Sequence, residues 1–281
     1  MVEHQHQPQM SEEEQKLRLE QEKNLLENLN HIKYKIVVMS GKGGVGKSTV
    51  SANIAEAFQK QGFKTGLLDV DIHGPNIPKI FGTENENIQV EDKKLLPVKS
   101  ESGIEIMSIA YLLDSNKSAV IWRGPQKTGV IRQFLSDVKW GNLDVLVIDN
   151  PPGTGDEPLT VLQSIPLIDG VIMVTTPNTL SKDDVQKSVD FVRIMNLNKI
   201  GLVENMSYYT CPHCGEKLNV FGESKGEEFA KELDIDYLGN IPLTEDISGS
   251  VDKNTINTDK DDEISKKFNS IVTEIKKNYL K

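Results

Sequence analysis

The apolar residues of this chain fall into two rhythms. Short, nearly unbroken runs recur at Tyr34–Met39, Lys64–Asp71, Leu143–Asp149, Asp169–Thr175 and Lys199–Glu204. Runs of that length predict strands buried on both faces, as in a parallel sheet. Between them the apolar positions step by three and four. Val50, Ile54, Ala57 and Phe58 do so within Thr49–Lys60, and Val185, Val189, Val192 and Met195 within Ser181–Met195. Ile264, Phe268, Ile271, Val272 and Ile275 repeat the pattern near the C-terminus, between about Asp261 and Leu280. This spacing predicts helices with one apolar face. The middle is less regular, with β-like pieces around Leu95–Val98 and Ile104–Ile109, then Trp122-Arg-Gly-Pro125 and a helical stretch to about Asp137. Residues 1–30 are polar, with a weak stripe of Leu17, Leu25, Leu26 and Leu29. They read as an extension, helical or loose, in which His4 and His6 belong to a solvated tail.

Composition narrows the classes. At 281 residues, with no internal linker or repeat, the chain fits one regular α/β domain. A formal charge of −10 argues against a general nucleic-acid binder, which needs a basic face. No apolar run approaches the roughly 18 residues of a membrane span, and the N-terminus lacks the apolar core of a signal peptide. A soluble cytoplasmic protein is expected. Lys266, Lys267, Lys276 and Lys277 give the C-terminal helix a basic side, which would suit a membrane surface. A helix packed on the sheet with a solvated face is the preferred reading.

Gly41 to Ser48 fits G-x-x-x-x-G-K-[ST], the phosphate-binding loop, and lies between a predicted strand and a predicted helix. Gly41, Gly43, Gly44 and Gly46 let the backbone close around phosphates. Lys47 would reach the β- and γ-phosphates, and the Ser48 hydroxyl would ligate Mg²⁺. Asp149 ends an apolar strand, the pattern of a carboxylate that holds Mg²⁺ through its water shell. Asp69 and Asp71 lie at the end of another, where α/β sheets bind ligands.

The only two cysteines, Cys211 and Cys214, stand in Cys-Pro-His-Cys-Gly. A bridge between them would close too small a loop to stabilise a domain of this size. Two thiolates at this spacing can grip one metal ion or one cluster edge, yet structural zinc and [4Fe–4S] clusters both take four ligands. The count points to a symmetric dimer sharing one site. Zinc held by the same four thiolates and a thioredoxin-type thiol oxidant remain as alternatives. His213 reads as an exposed turn residue.

Together these motifs resemble the Mrp/ApbC family of iron–sulfur carrier ATPases, relatives of MinD, ParA and the nitrogenase iron protein. The resemblance runs from about Lys33 to Asn278. It rests on the loop Gly-Lys-Gly-Gly-Val-Gly-Lys-Ser-Thr, Asp69-x-Asp71-Ile-His-Gly-Pro-Asn, Asp149-x-Pro-Pro-Gly-Thr-Gly-Asp156, Glu204-Asn-Met-Ser and Cys-Pro-x-Cys-Gly. Relatives with an extra N-terminal cysteine cluster are excluded, since residues 1–30 hold no cysteine. The resemblance implies that the whole loop, Val45 and Thr49 included, binds ATP, and that Lys42 reaches the partner subunit's nucleotide. It implies that Asp71, in switch I, orients the attacking water. Gly153, in switch II, would offer its N–H to the γ-phosphate, Asn205 would read the adenine edge, and the segment with Pro242 would cover the base. Asn150 departs from the hydrophobic residue or threonine expected there. Arg123 reads as a surface ion pair.

The expected architecture is a doubly wound, mostly parallel sheet with helices on both faces. Residues 31–281 would form the P-loop ATPase domain, with a cysteine knuckle near 208–222, after the extension 1–30. The expected function is an ATP-hydrolysing, Mg²⁺-dependent carrier that holds a [4Fe–4S] cluster between two identical subunits. It would take the cluster from assembly proteins and pass it to apo iron–sulfur proteins, with no nucleic-acid or membrane partner. The alternative is a MinD/ParA-like positioning ATPase that binds membrane or DNA.

Overall fold

The structure is a computed structural model, and it describes residues 12–112, 124–177, 181–244 and 263–281. The chain runs α1 (Glu12–Asn30), β1 (Ile32–Met39), α2 (Lys47–Lys60), β2 (Thr65–Asp69) and α3 (Ile77–Phe81). Four short strands follow: β3 (Gln89–Glu91), β4 (Lys94–Leu96), β5 (Val98–Lys99) and β6 (Glu105–Ser108). Next come α4 (Gly124–Asp137), β7 (Leu143–Asp149), α5 (Asp156–Ser164), β8 (Gly170–Thr175), α6 (Ser181–Ile194) and β9 (Ile200–Glu204). The last part holds β10 (Tyr209–Thr210), β11 (Lys217–Leu218), α7 (Gly226–Glu232), β12 (Asp236–Asn240) and α8 (Glu263–Tyr279).

Eight strands form one sheet in the order β12-β9-β8-β1-β7-β2-β6-β5, parallel except where β5 pairs with β6. Side chains alternate across it. Val37, Leu146 and Val171 face one apolar cluster with α1, α4, α5, α6 and α7. Ile36, Val147 and Ile172 face the other, with α2, α3 and α8. The fold is therefore the doubly wound α/β sheet that its apolar rhythms predict. The central strands β1 and β7 are buried almost throughout, which is why they read as continuous apolar runs.

Three local departures have physical causes. The piece predicted over Leu95–Val98 is split, because Pro97 separates β4, paired in a hairpin with β3, from β5 on the sheet edge. The strand predicted to reach Asp71 ends at Asp69, whose side chain turns the chain away from the sheet. The weak leucine stripe before β1 is a 19-residue helix. Leu25 and Leu29, one turn apart, insert into the first cluster, and the Asn28 amide donates to the Ser136 carbonyl of α4. At the other end, the five apolar positions of α8 are all buried against the α2 side of the sheet. The face a membrane would need is thus already packed, the reading preferred for this helix. Arg123 lies outside the described residues.

Candidate nucleotide and cysteine sites

The carboxyl ends of β1, β2 and β7 bring the charged residues together. In register, Asp149 stands between Val38 of β1 and Asp69 of β2. The loop after β1 turns into α2 at Gly46, whose φ of 81° is left-handed. A Cβ at Gly46 would also strike the Asn205 amide, so both backbone and space require glycine. Gly41 is pressed on the other side, where a Cβ would come within 2.7 Å of the Asp184 carbonyl.

Lys47, the first residue of α2, is buried. Its Nζ lies 2.7 Å from Asp149 Oδ1 and 3.6 Å from Asp71 Oδ2. Burial works against the charge on Lys47, but Asp149 and then Asp71 outweigh it and raise its pKa. Asp69 is wholly buried, and its carboxyl is pushed up to about 8, first by burial and then by Asp149. Ser51 Oγ donates to Asp149 Oδ1 at 2.8 Å. Asp149 Oδ2 is buried with no hydrogen-bond partner among the described residues. A carboxylate oxygen left this way, in a site whose cavity wall carries Ser48, fits a hydrated Mg²⁺.

A cavity of about 430 Å³ opens above these residues. The loop residues Lys42, Gly43, Gly44, Gly46, Lys47, Ser48 and Thr49 line it, together with Asp71, His73, Gly74, Asn76 and Pro152. Its floor of glycines, a lysine and a helix N-terminus suits a polyphosphate. Several expected contacts lie outside its lining. Val45 is buried beneath, and its carbonyl accepts from Asn205 Nδ2 at 2.9 Å, so Asn205 holds the loop itself. Gly153, at φ 86°, donates its N–H to the Ser40 carbonyl at 2.8 Å. Pro242 is buried, and the segment around it is tied to the residues after β9 by Ser207 N–H to the Ile241 carbonyl and Leu243 N–H to the Tyr208 carbonyl. Asn150 is fully buried, and neither atom of its amide has a partner among the described residues.

The chain from Asn205 leads within six residues to Cys211, in the turn of the β10–β11 hairpin. Gly215 N–H donates to the Cys211 carbonyl and Cys211 N–H to the Glu216 carbonyl, which fixes the knuckle. The backbone N–H of Cys214, then that of His213 and the Cys214 thiol, lower the Cys211 pKa. Cys214 is exposed and Cys211 half-buried, and both are free. Among the described residues no three His, Cys, Asp or Glu side chains converge as a metal set, so this pair supplies two ligands.

Sequence reasoning gave no role to Ser51, Ser108 or Glu157. Ser51 follows Lys47 by one helical turn, a usable signal. Ser108, which donates to Asp69 Oδ2 at 2.8 Å, and Glu157, 3.2 Å from His73 Nε2, are brought in by the sheet and left no local mark.

The family profile described as ParA: NUBPL iron-transfer P-loop NTPase matches residues 31–276. An iron-sulfur cluster carrier protein of Methanocaldococcus jannaschii is 50% identical over 92% of this chain and 90% of its own length. The cytosolic Fe-S cluster assembly factor nubp2 of Danio rerio is 46% identical, over 77% of this chain and 82% of its own. A solved nucleotide-binding protein in complex with ADP from Archaeoglobus fulgidus superposes with a TM-score of 0.76 at 41% identity, covering 86% of this chain and 94% of that one. The cell division ATPase MinD of Pyrococcus furiosus, at 21% identity and TM-score 0.64, shares the fold.

Proposed function

Because this chain belongs to the ParA family of NUBPL-type iron-transfer P-loop NTPases, we propose that it is an ATP-hydrolysing iron–sulfur cluster carrier. Its cargo is a [4Fe–4S] cluster held between two identical subunits. The observation that carries this reading is the pair Cys211 and Cys214, presented at the tip of a hairpin with no third ligand among the described residues. Two copies of the hairpin complete the four thiolates that such a cluster takes. The lowered pKa of Cys211 favours the thiolate a cluster needs. Relatives with carrier and cytosolic assembly-factor names support cluster assembly proteins as donors and apo iron–sulfur proteins as recipients, in the cytoplasm.

At the nucleotide site, Mg²⁺, held by Ser48 and the free oxygen of Asp149, supplies charge neutralisation when bound. Lys47 exchanges Asp149 for the phosphates, and Asp71 orients the attacking water. Lys42 adds positive charge from the neighbouring subunit. Gly153 reaches the γ-phosphate by releasing the Ser40 carbonyl. Asn205 and the segment with Pro242 hold the base.

Anaerobic reconstitution tests the reading. About one cluster per two chains is expected, with roughly four irons and four sulfides, on a protein that runs as a dimer. Cys211→Ser and Cys214→Ser should each abolish the cluster and leave ATP binding intact. A stable cluster on a monomer, or stoichiometric zinc with no iron uptake, would overturn it.

A further inference from the structure

We propose that Asp69 is a positioning residue for ATP hydrolysis: its carboxyl group buckles the switch I segment, residues 71–77, closed at both ends and thereby presents Asp71 to the nucleotide cavity. This rests on the ATPase reading above and adds a residue that touches neither nucleotide nor water.

The geometry is specific. Asp69 Oδ1 accepts the Asp71 N–H at 3.2 Å, where the segment begins. Oδ2 accepts the Ile77 N–H at 3.4 Å, where the segment ends and α3 starts. The residue before that helix, Asn76, makes no side-chain cap bond, so Asp69 supplies the acceptor from the sheet. Ser108 Oγ–H donates to the same Oδ2 at 2.8 Å and fixes the carboxyl group's rotation.

The anchor is rigid. In register, Asp69 stands between Ser108 of β6 and Asp149 of β7. It is fully buried and absent from the cavity lining, whereas Asp71, His73, Gly74 and Asn76 all line it. A second, smaller buckle sits inside the first. Asp71 Oδ1 accepts the His73 and Gly74 N–H groups at 3.2 and 3.3 Å, leaving Oδ2 facing Lys47. The position of the water-orienting oxygen therefore descends from the sheet through Asp69. Opening one end of the segment would let that oxygen wander, and a misplacement of about 1 Å costs on the order of a hundredfold in rate.

The experiment compares Asp69→Asn, Ser108→Ala and Asp71→Ala in the full-length protein. Asn keeps the size but only one accepting oxygen, so it releases one end of the segment. Asp69→Asn should lower kcat by about ten- to a hundredfold while changing ATP affinity less than about threefold. Hydrogen exchange should speed up at the amide that loses its acceptor, Asp71 or Ile77, and stay slow in β2 and β7. Asp71→Ala should lose hydrolysis yet leave the Ile77 amide protected, because Asp69 still holds it. Ser108→Ala keeps both backbone bonds and should show a smaller loss of kcat with intermediate exchange. If Asp69→Asn fails to fold, that graded response decides the matter. Unchanged kcat with native exchange over 71–77, or a raised KM at constant kcat, overturns the proposal. A wild-type protein that binds ATP without hydrolysing it sinks the ATPase reading instead, and the exchange pattern then decides the buckle alone.

Discussion

One ammonium group faces three carboxyls in this site. Lys47 pairs directly with Asp149 and Asp71, and Asp69 adds to the same field. Asp69, fully buried and without a direct ion pair to Lys47, carries the imbalance, so its carboxyl is pushed up to about 8 by burial and by Asp149. Between the ordinary carboxyl range and that value, the folded protein binds more protons at Asp69 than the unfolded chain does. Stability from this group is greatest at low pH and falls as pH rises toward about 8. The thermal midpoint of the nucleotide-free protein should therefore decline from about pH 5.5 to about 8, and Asp69→Asn, which cannot ionise, should flatten that decline. A slope left unchanged by the variant would contradict the assignment. At this scale the sequence showed what is contiguous: Lys47, Ser48, Asp71 and Asp149 each lie in a motif. It hid Ser51 on Asp149 and Asn205 on Val45, because those contacts join positions 98 and 160 residues apart. Tertiary closure makes them, and only Ser51, one helical turn after Lys47, leaves a local mark.

Among the elements, strands and helices with strong rhythm were legible, and the element with a faint one was not. Among the α1 leucines whose side chains are described, Leu25 and Leu29 are buried, while Leu19 and Leu26 stay exposed. A pair one turn apart suffices once α4 provides a surface. Leu29 is fully buried, so Leu29→Ala should cost about 2–4 kcal/mol in urea unfolding. ATP affinity should hold, because α1 packs on the sheet face opposite α2. A loss below about 0.5 kcal/mol would mean that α1 is not docked in solution. The hairpin of β10 and β11 teaches the same lesson from its base. Its cysteine spacing was plain in the sequence, but its attachment was not. Leu243 N–H to the Tyr208 carbonyl and Ser207 N–H to the Ile241 carbonyl join it to the segment carrying Pro242. The cysteine turn is thus built on residues that also border the nucleotide loop.

For the whole molecule, both sites lie beyond the carboxyl ends of the parallel strands, one after β1, β2 and β7 and the other after β9. A doubly wound sheet makes that end the place where loops gather, so a nucleotide loop and a cysteine hairpin can share it. Leu218 at the end of the hairpin and Val220 and Phe221 just after it are exposed, apolar surface that the proposed second copy would cover. The same dimer would bring Lys42 to its partner. Lys42 lines the cavity of its own chain, and the Ser40 hydroxyl holds its carbonyl at 2.9 Å. A trans role separates its two effects. Lys42→Ala should cut hydrolysis roughly a hundredfold or more, as removal of a charge-stabilising finger does, with ATP affinity little changed. Lys47→Ala should fail because phosphate binding is lost. Mixing the two variants should restore part of the activity, since each mixed dimer has one site with an intact Lys47 served by the other chain's Lys42. Recovered activity should follow the fraction of mixed dimers and peak at equal proportions. No recovery at any ratio, with subunit exchange demonstrated by differently tagged chains, would place Lys42 in its own subunit's site.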